Sequence, residues 1–445
     1  MDYPEMLARL EGLGRFGMKL TLDRMAAMME ILGHPENRLR AVHVAGTNGK
    51  GSTVAMLDAI LRAAGLRTGR WTSPHLEDFR ERLVLDGLPV AGERLADAFT
   101  RVWAAVEEVK DSPAGHPTQF EAATASAFLV LAEAAPEAAV IEVGLGGRHD
   151  ATNVITPLVA VITPLALDHT DRLGADLASI AAEKAGIIKP GGVVVSAPQE
   201  PEALEVIRAA GGRQGARLRL VGRDFSYQLM AASEEGTWAH LRGARNYGLV
   251  RINLLGAHQA VNAAVAVAAA EALAEEAGLA VPPAAVKRGL EEVVWPGRLE
   301  VIGRSPLVVM DGAHNPHGMR ALRRALFEVF RRERADLLFG ALENRPVEEM
   351  AEIIAPAARR VVVAPVPGGT APSADPARVK AAFAAQGIPA EAASDPEEAL
   401  AAALSGLPPG GLLCVCGSLY LVGAVRRLWR SRTHPPADKG GAGQG

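Results

Sequence analysis

The stretch "AVHVAGTNGKGS", residues 41–52, holds three glycines (Gly46, Gly49, Gly51), one lysine (Lys50) and the hydroxyl residue Ser52, with Thr53 next, after a short apolar run. Glycines let backbone N–H groups approach an anion closely at the start of a helix, and a lysine adds the charge. The spacing departs from the ordinary phosphate loop, G-x-x-x-x-G-K-[ST]: Val44 stands where the first glycine belongs, and Gly51 follows Lys50. The chemistry of phosphate binding survives that shortening. Further candidates follow predicted strands: Ser73 in "WTSPHL", Glu142 inside the apolar run 139–143, Asp168 and His169 in "LALDHTDRLG", and Asp311 in "DGAHNP". A carboxylate within an apolar strand is costly unless paired or metal-bound, so Glu142 is either half of a structural ion pair or a metal ligand. Ser73 also reads as a turn serine, His169 as a capping histidine and Asp311 as the start of an Asx-turn.

Lys184 falls on the apolar face of the helix pattern in "ADLASIAAEKAGIIKP". Two readings stay open. Its stem packs while the ammonium reaches water, or burial lowers its pKa and yields a neutral amine able to meet phosphate or to capture carbon dioxide as a carbamate, a ligand for Mg²⁺.

These residues need a scaffold that gathers strand ends. Apolar runs at 40–45, 68–72, 139–143, 158–163 and 192–196 alternate with helical patterns at 95–109 and 120–131, as in a parallel α/β sheet, where ligands bind beyond the carboxyl ends of strands. The pattern resets near "WPGRLE": strands at 307–310, 336–340, 360–365 and 411–416 alternate with helices at 318–331, 347–354, 376–386 and 397–404. The expectation is an α/β chain with a phosphate-loop parallel-sheet domain over 1–296, a smaller Rossmann-like α/β domain over 297–432, and a Pro/Gly-rich disordered tail over 433–445. Residues 218–255 read as irregular or antiparallel strands.

At 445 residues, with 49% hydrophobic and 22% charged residues, the chain can bury a large core. A net charge of −4 argues against a nucleic-acid binder. No run reads as a membrane span or secretory signal, so no membrane partner and a cytoplasmic location are expected. Cys414 and Cys416 are read as pointing to opposite faces of one strand, with neither a disulfide nor a metal site.

Beyond these patterns, "HVAGTNGKGS", "TSPHL" with "FRERL", "QFEAATASAF", "EVGLGGRHDATN", "LDHTDRLG", "AEKAGIIKPG", "WPGRLE", "DGAHNP" and "GSLYLVG" occur in that order. Together they resemble the folylpolyglutamate synthase/dihydrofolate synthase family of the Mur ligase superfamily over roughly residues 5–430. The resemblance implies an ATP-dependent amide ligase: a substrate carboxylate is activated as an acyl phosphate, then captured by the amine of L-glutamate. It implies ATP binding by Gly46, Thr47, Asn48, Gly49, Lys50, Gly51, Ser52 and Thr53, with Asn262, Arg298, Asp311 and His314 adding contacts. ATP would lie between the domains. By the same resemblance Ser73 and Glu142 bind one Mg²⁺, and His169 with a carbamylated Lys184 binds a second; Lys50, His169 and Lys184 form the catalytic set. Arg82, Thr118, Phe120, Asp150 and Ala151 match the region serving dihydropteroate or reduced folates, although Phe120 also suits a core aromatic.

There are departures. Pro164 and Leu165 replace an expected small polar residue and Ile, and "GALENRP" and "APSADP" lack the cations expected for the L-glutamate carboxylates. The rivals are a cell-wall Mur ligase, a phosphate-loop hydrolase or kinase, and a non-catalytic nucleotide-binding regulator. The folate segments speak for a bifunctional ligase, acting as a monomer on dihydropteroate and folates, over a monofunctional polyglutamylating one.

Overall fold

A computed structural model of the chain describes residues 1–14, 21–369 and 371–433. The chain divides into two compact units, Met1–Trp295 and Pro296–Gly445. Thr433 closes a helix over Leu419–Thr433, and the remainder of the expected tail lies outside the described residues.

The first unit is built on strands β1 (Ala41–Ala45), β2 (Thr68–Trp71), β3 (Leu83–Leu85), β4 (Leu88–Pro89), β5 (Ala138–Glu142), β6 (Val159–Ile162), β7 (Val193–Ser196) and β8 (Arg217–Leu220). Their order in the sheet is β4-β3-β2-β5-β1-β6-β7-β8. Strands β2, β5, β1, β6, β7 and β8 run parallel, while β3 and β4 add an antiparallel edge. The central strands are apolar on both faces because helices cover both. One cover is the helix Lys50–Ala63 with the alanine-rich helix His258–Ala277. The opposite cover includes the helices Gly92–Val109 and Gln119–Ala134. Strands β9 (Ser226–Ser233), β10 (Gly236–Arg242) and β11 (Asn246–Ile252) form a separate antiparallel sheet, in the stretch where periodicity suggested such strands.

In the second unit, β12 (Glu300–Arg304), β13 (Leu307–Met310), β14 (Ala335–Phe339), β15 (Ala358–Val363), β16 (Ala390–Ala392) and β17 (Leu412–Cys416) form a sheet in the order β12-β13-β17-β14-β15-β16. Only β12 is antiparallel to its neighbour. The expected opposition of the two cysteines is corrected here: residues two apart on a strand share a face. The buried Cys416 hydrogen-bonds Cys414, and that contact, with burial, raises the Cys414 pKa.

Among the described residues, no helix is long and apolar enough to cross a membrane.

Candidate active site

Strand β1 ends at Ala45, and the next four residues form a loop whose last member, Gly49, caps the helix Lys50–Ala63 with φ 83°. Gly46 has φ 151°, and a Cβ there would run into the Thr163 hydroxyl. A Cβ at Gly49 would run into the side-chain oxygen of Asn262. The glycines are therefore required by close packing as well as by dihedral angle. The loop is tied down from one side: the amides of Thr47 and Asn48 donate to the Pro164 carbonyl at 3.2 and 3.3 Å. The Thr163 hydroxyl donates to the Asn48 carbonyl at 2.8 Å, and that of Thr47 to the Ala166 carbonyl at 3.0 Å. A backbone carbonyl makes the contact at Pro164, so the unusual side chain there does not alter it.

With Thr47 and Asn48 occupied, the donors left for an anion are the first-turn amides of Lys50, Gly51 and Ser52, which have no acceptor inside their own helix. Thr53 presents a buried hydroxyl without a hydrogen-bond partner. Lys50 Nζ rests 3.4 Å from the Thr47 carbonyl, a long contact it can leave for a phosphate. This loop fits a nucleotide's phosphates.

Lys184 lies under the same loop. It is 5% exposed, and its Nζ donates to the Gly46 carbonyl at 2.9 Å. Burial, then the neighbouring Lys50 charge, lowers its pKa from 10.5 to about 7, against the opposing pull of Asp168, Asp150 and Glu183. The snorkelling alternative does not hold for this side chain, because its ammonium is inside. Its backbone is held by the "GLGGR" loop: the Arg148 amide donates to the Glu183 carbonyl at 2.8 Å, and a Cβ on Gly147 would sit 2.7 Å from that oxygen.

Glu142 closes β5 and is buried; its Oε2 accepts the Ser73 amide at 3.2 Å. A serine hydroxyl and a carboxylate are hard oxygen donors of the kind Mg²⁺ takes. Among the described residues there is no cluster of three His, Cys, Asp or Glu able to hold a metal. Mg²⁺ usually keeps waters and substrate phosphates with one or two carboxylates, so Ser73 and Glu142 beside a phosphate loop fit it. His169 has left-handed backbone (φ 51°) and precedes the short helix Thr170–Leu173. Its Nε2 is 3.9 Å from Asp168 Oδ1.

The residues matched to the pteridine-bearing substrate mostly have structural partners. Thr118 caps the helix Gln119–Ala134 in a reciprocal box with Glu121, and Glu121 forms a buried bidentate pair with Arg24. The Asp150 carboxylate accepts the Leu145 and Thr152 amides at 2.8 and 3.0 Å and also the Thr152 hydroxyl. Burial nevertheless raises its pKa. Thr152 accepts in turn from His43 Nε2 at 2.7 Å; burial, then Lys189, pushes the His43 pKa down to about 3, leaving a neutral ring. Ala151 is buried in the turn that follows Asp150. Phe120 is half-buried, its ring stacked on Trp71 at 6.5 Å and so close to Gly144 that a Cβ there would lie 2.5 Å from it. Arg82 Nε donates to His75 Nδ1 at 2.9 Å.

In the second unit, Asp311 accepts the Leu299 amide at 2.9 Å and the Ala313 amide at 2.8 Å, the latter closing an Asx-turn. Burial raises its pKa, and nearby Arg298 opposes the rise. His314 Nδ1 lies 2.7 Å from the Gly312 carbonyl, so that nitrogen carries the proton.

Sequence reasoning does not single out Thr163, His43, Arg70 or Trp295, although His43 and Trp295 open the segments "HVAGTNGKGS" and "WPGRLE". Thr163, His43 and Trp295 meet their partners from more than 100 residues away in the chain, and Arg70 meets Asp58, 12 residues away.

The Mur ligase middle domain matches residues 44–270, and the Mur ligase glutamate ligase domain matches residues 297–419. A dihydrofolate synthase/folylpolyglutamate synthase of Bacillus subtilis is 39% identical over 352 residues, 78% of this chain and 81% of that protein. The folylpolyglutamate synthase of Mycobacterium tuberculosis complexed with ADP superposes with a TM-score of 0.90 at 33% identity, covering 96% of this chain and 98% of that one. Escherichia coli FolC in complex with DHPP and ADP gives 0.86 at 29% identity, with 97% and 99% covered.

Proposed function

The chain belongs to the folylpolyglutamate synthase/dihydrofolate synthase family of Mur ligases, and from that premise we propose that it joins L-glutamate both to dihydropteroate and to folates, using ATP. The observation that carries the reading is the shortened phosphate loop at the end of β1 with Lys184 buried against its Gly46 carbonyl. In the reaction, an oxygen of the substrate carboxylate attacks the γ-phosphorus of ATP and ADP leaves. The L-glutamate amine then attacks the acyl carbon, phosphate leaves, and the nitrogen loses a proton.

The protein's share is positioning and electrostatics. Lys50 and the amides of Lys50–Ser52 hold the β- and γ-phosphates at the helix N-terminus. Asn262 braces Gly49, and by the family resemblance Arg298, Asp311 and His314 are assigned to ATP. Two Mg²⁺ ions would offset the charge of carboxylate and phosphoryl group, with Ser73 and Glu142 holding one and His169 and a Lys184 carbamate the other. A lysine with a pKa of about 7 is about half unprotonated at pH 7 and largely so one unit above, and the unprotonated amine is the form that captures carbon dioxide. The Phe120 ring, backed by Trp71 and Gly144, is assigned to the pteridine, and by the family resemblance Arg82, Thr118, Asp150 and Ala151 are assigned to the same substrate. A cytoplasmic monomer suits these small-molecule substrates.

The test supplies MgATP and L-glutamate with dihydropteroate in one reaction and tetrahydrofolate in another, and reads ADP release and product mass. One added glutamate in both reactions is expected. A gain with tetrahydrofolate alone reduces the enzyme to a polyglutamylating one, and ADP release without either product overturns the ligase reading.

A further inference from the structure

Among the described residues of the first unit, the buried N–H donors without a hydrogen-bond partner include a neighbouring pair, Nε1 of Trp295 and Nε of Arg70. Buried donors of this kind are nearly always paired, so a neighbouring pair of orphans calls for a cause. They belong to one stack. The Arg70 guanidinium lies over the Trp295 ring, 5.1 Å from its centroid. Arg70 Nη1 also donates to Asp58 Oδ2 at 3.3 Å. Asp58 sits on the phosphate-loop helix and is itself fixed by the Thr68 hydroxyl at 2.6 Å and by Arg62 Nε at 3.2 Å. The Trp295 indole closes the stack against the loop. A Cβ on Gly51 would lie 2.8 Å from Cζ2 and 2.9 Å from Nε1, so the indole occupies the space a side chain at Gly51 would take.

We propose that Trp295 and Arg70 are positioning residues for the nucleotide: the indole is a stop behind Gly51, and Arg70 holds the indole in place. Neither residue is assigned a contact with the phosphates. Trp295 sets where the first helical turn presents its amides, and Arg70 ties that stop to Asp58 on the same helix. The closed circuit from helix to arginine to indole and back to helix keeps the N–H groups of Lys50, Gly51 and Ser52 at one height. Rigid placement of this kind is what a loop must supply when its ligand is bound by backbone dipoles.

The inference rests on the loop being the nucleotide site, and nucleotide binding is measured apart from ligation. Calorimetric titration of the full chain with MgADP compares wild type, Trp295→Ala, Trp295→Phe and Arg70→Gln. Loss of the stack in Trp295→Ala weakens ADP about tenfold, and Trp295→Phe, which keeps a ring under the guanidinium, recovers to within about threefold of wild type. Arg70→Gln falls between them. In steady state the KM for ATP follows the same order while the KM for L-glutamate stays level. Tryptophan emission assigned to Trp295, as wild type minus Trp295→Phe, shifts on adding ADP. Equal ADP affinity in wild type and Trp295→Ala, or equal weakening by Ala and Phe, overturns the proposal. So does a parallel rise in both KM values. If Trp295→Ala does not fold, Arg70→Gln with wild-type ADP affinity, or a difference emission unmoved by ADP, overturns it equally. A wild-type chain that binds no ADP refutes the nucleotide reading itself.

Discussion

Replacing Lys184 by Met keeps an unbranched apolar stem and removes the ionisable head from beneath the phosphate loop. In the folded chain the amine has a pKa of about 7, against 10.5 when exposed to water. At 1.36 kcal/mol per unit, the protonated form is disfavoured inside by about 5 kcal/mol. Between those two values the unfolded chain holds a proton that the folded chain has released. Stability of the wild type therefore rises with pH through this window, and the benefit is lost as pH falls towards 7. Methionine has no such dependence. Urea titrations of both proteins in carbonate-free buffer should show wild type gaining on Lys184→Met by about 2.5 kcal/mol between pH 7 and pH 9. Parallel profiles over that interval would refute the claim that the amine is buried and depressed. A second arm adds ¹³C-bicarbonate at pH 8. A carbamate carbon resonance in wild type and none in Lys184→Met is the expected outcome, with the ligase rate of the wild type falling when carbonate is stripped away. A wild type that shows no such resonance and keeps its rate without carbonate would remove the carbamate from the site.

Three further outcomes follow from the geometry. Gly49→Ala forces a side chain at φ 83° into the Asn262 amide, and ADP affinity by calorimetry should fall about 100-fold, as expected for a site displaced by about an ångström. Glu142→Gln keeps an oxygen for the Ser73 amide and removes the charge, so the Mg²⁺ concentration for half-maximal rate should rise at least about tenfold while the KM for L-glutamate is unchanged. Glu121→Gln leaves the Arg24 guanidinium buried against a neutral amide; a loss of about 3–5 kcal/mol is expected, seen as a Tm lower by on the order of 5 °C.

The sequence by itself determined the elements and the ends at which chemistry gathers. Apolar runs of strand length alternating with amphipathic helices require a parallel sheet, and a parallel sheet presents the carboxyl ends of its strands together. Gly46–Lys50, Ser73 and Glu142 were therefore legible as one neighbourhood before any coordinates, as was the second alternating series after Pro296. Short antiparallel strands such as β3, β4 and β12 were not, because two to five residues carry too little periodicity. Parity alone should have placed Cys414 and Cys416 on one face, and there the reading of the strand was at fault.

Only the tertiary structure decided what each polar group is for. The strand order β2-β5-β1-β6 brings Thr163 and the Pro164 carbonyl onto the loop after β1, a juxtaposition no local pattern encodes. A lysine on an apolar helix face reads alike whether it snorkels or is buried. Burial against Gly46, 138 residues away in the chain, lowers its pKa. Thr118 and Asp311, singled out for ligands, also close a helix cap and an Asx-turn, and Trp295, given no role by the sequence, stands behind Gly51. Hydrogen-bond assignment and desolvation are properties of three-dimensional neighbours, and the chain's spacing specifies those neighbours only through the fold.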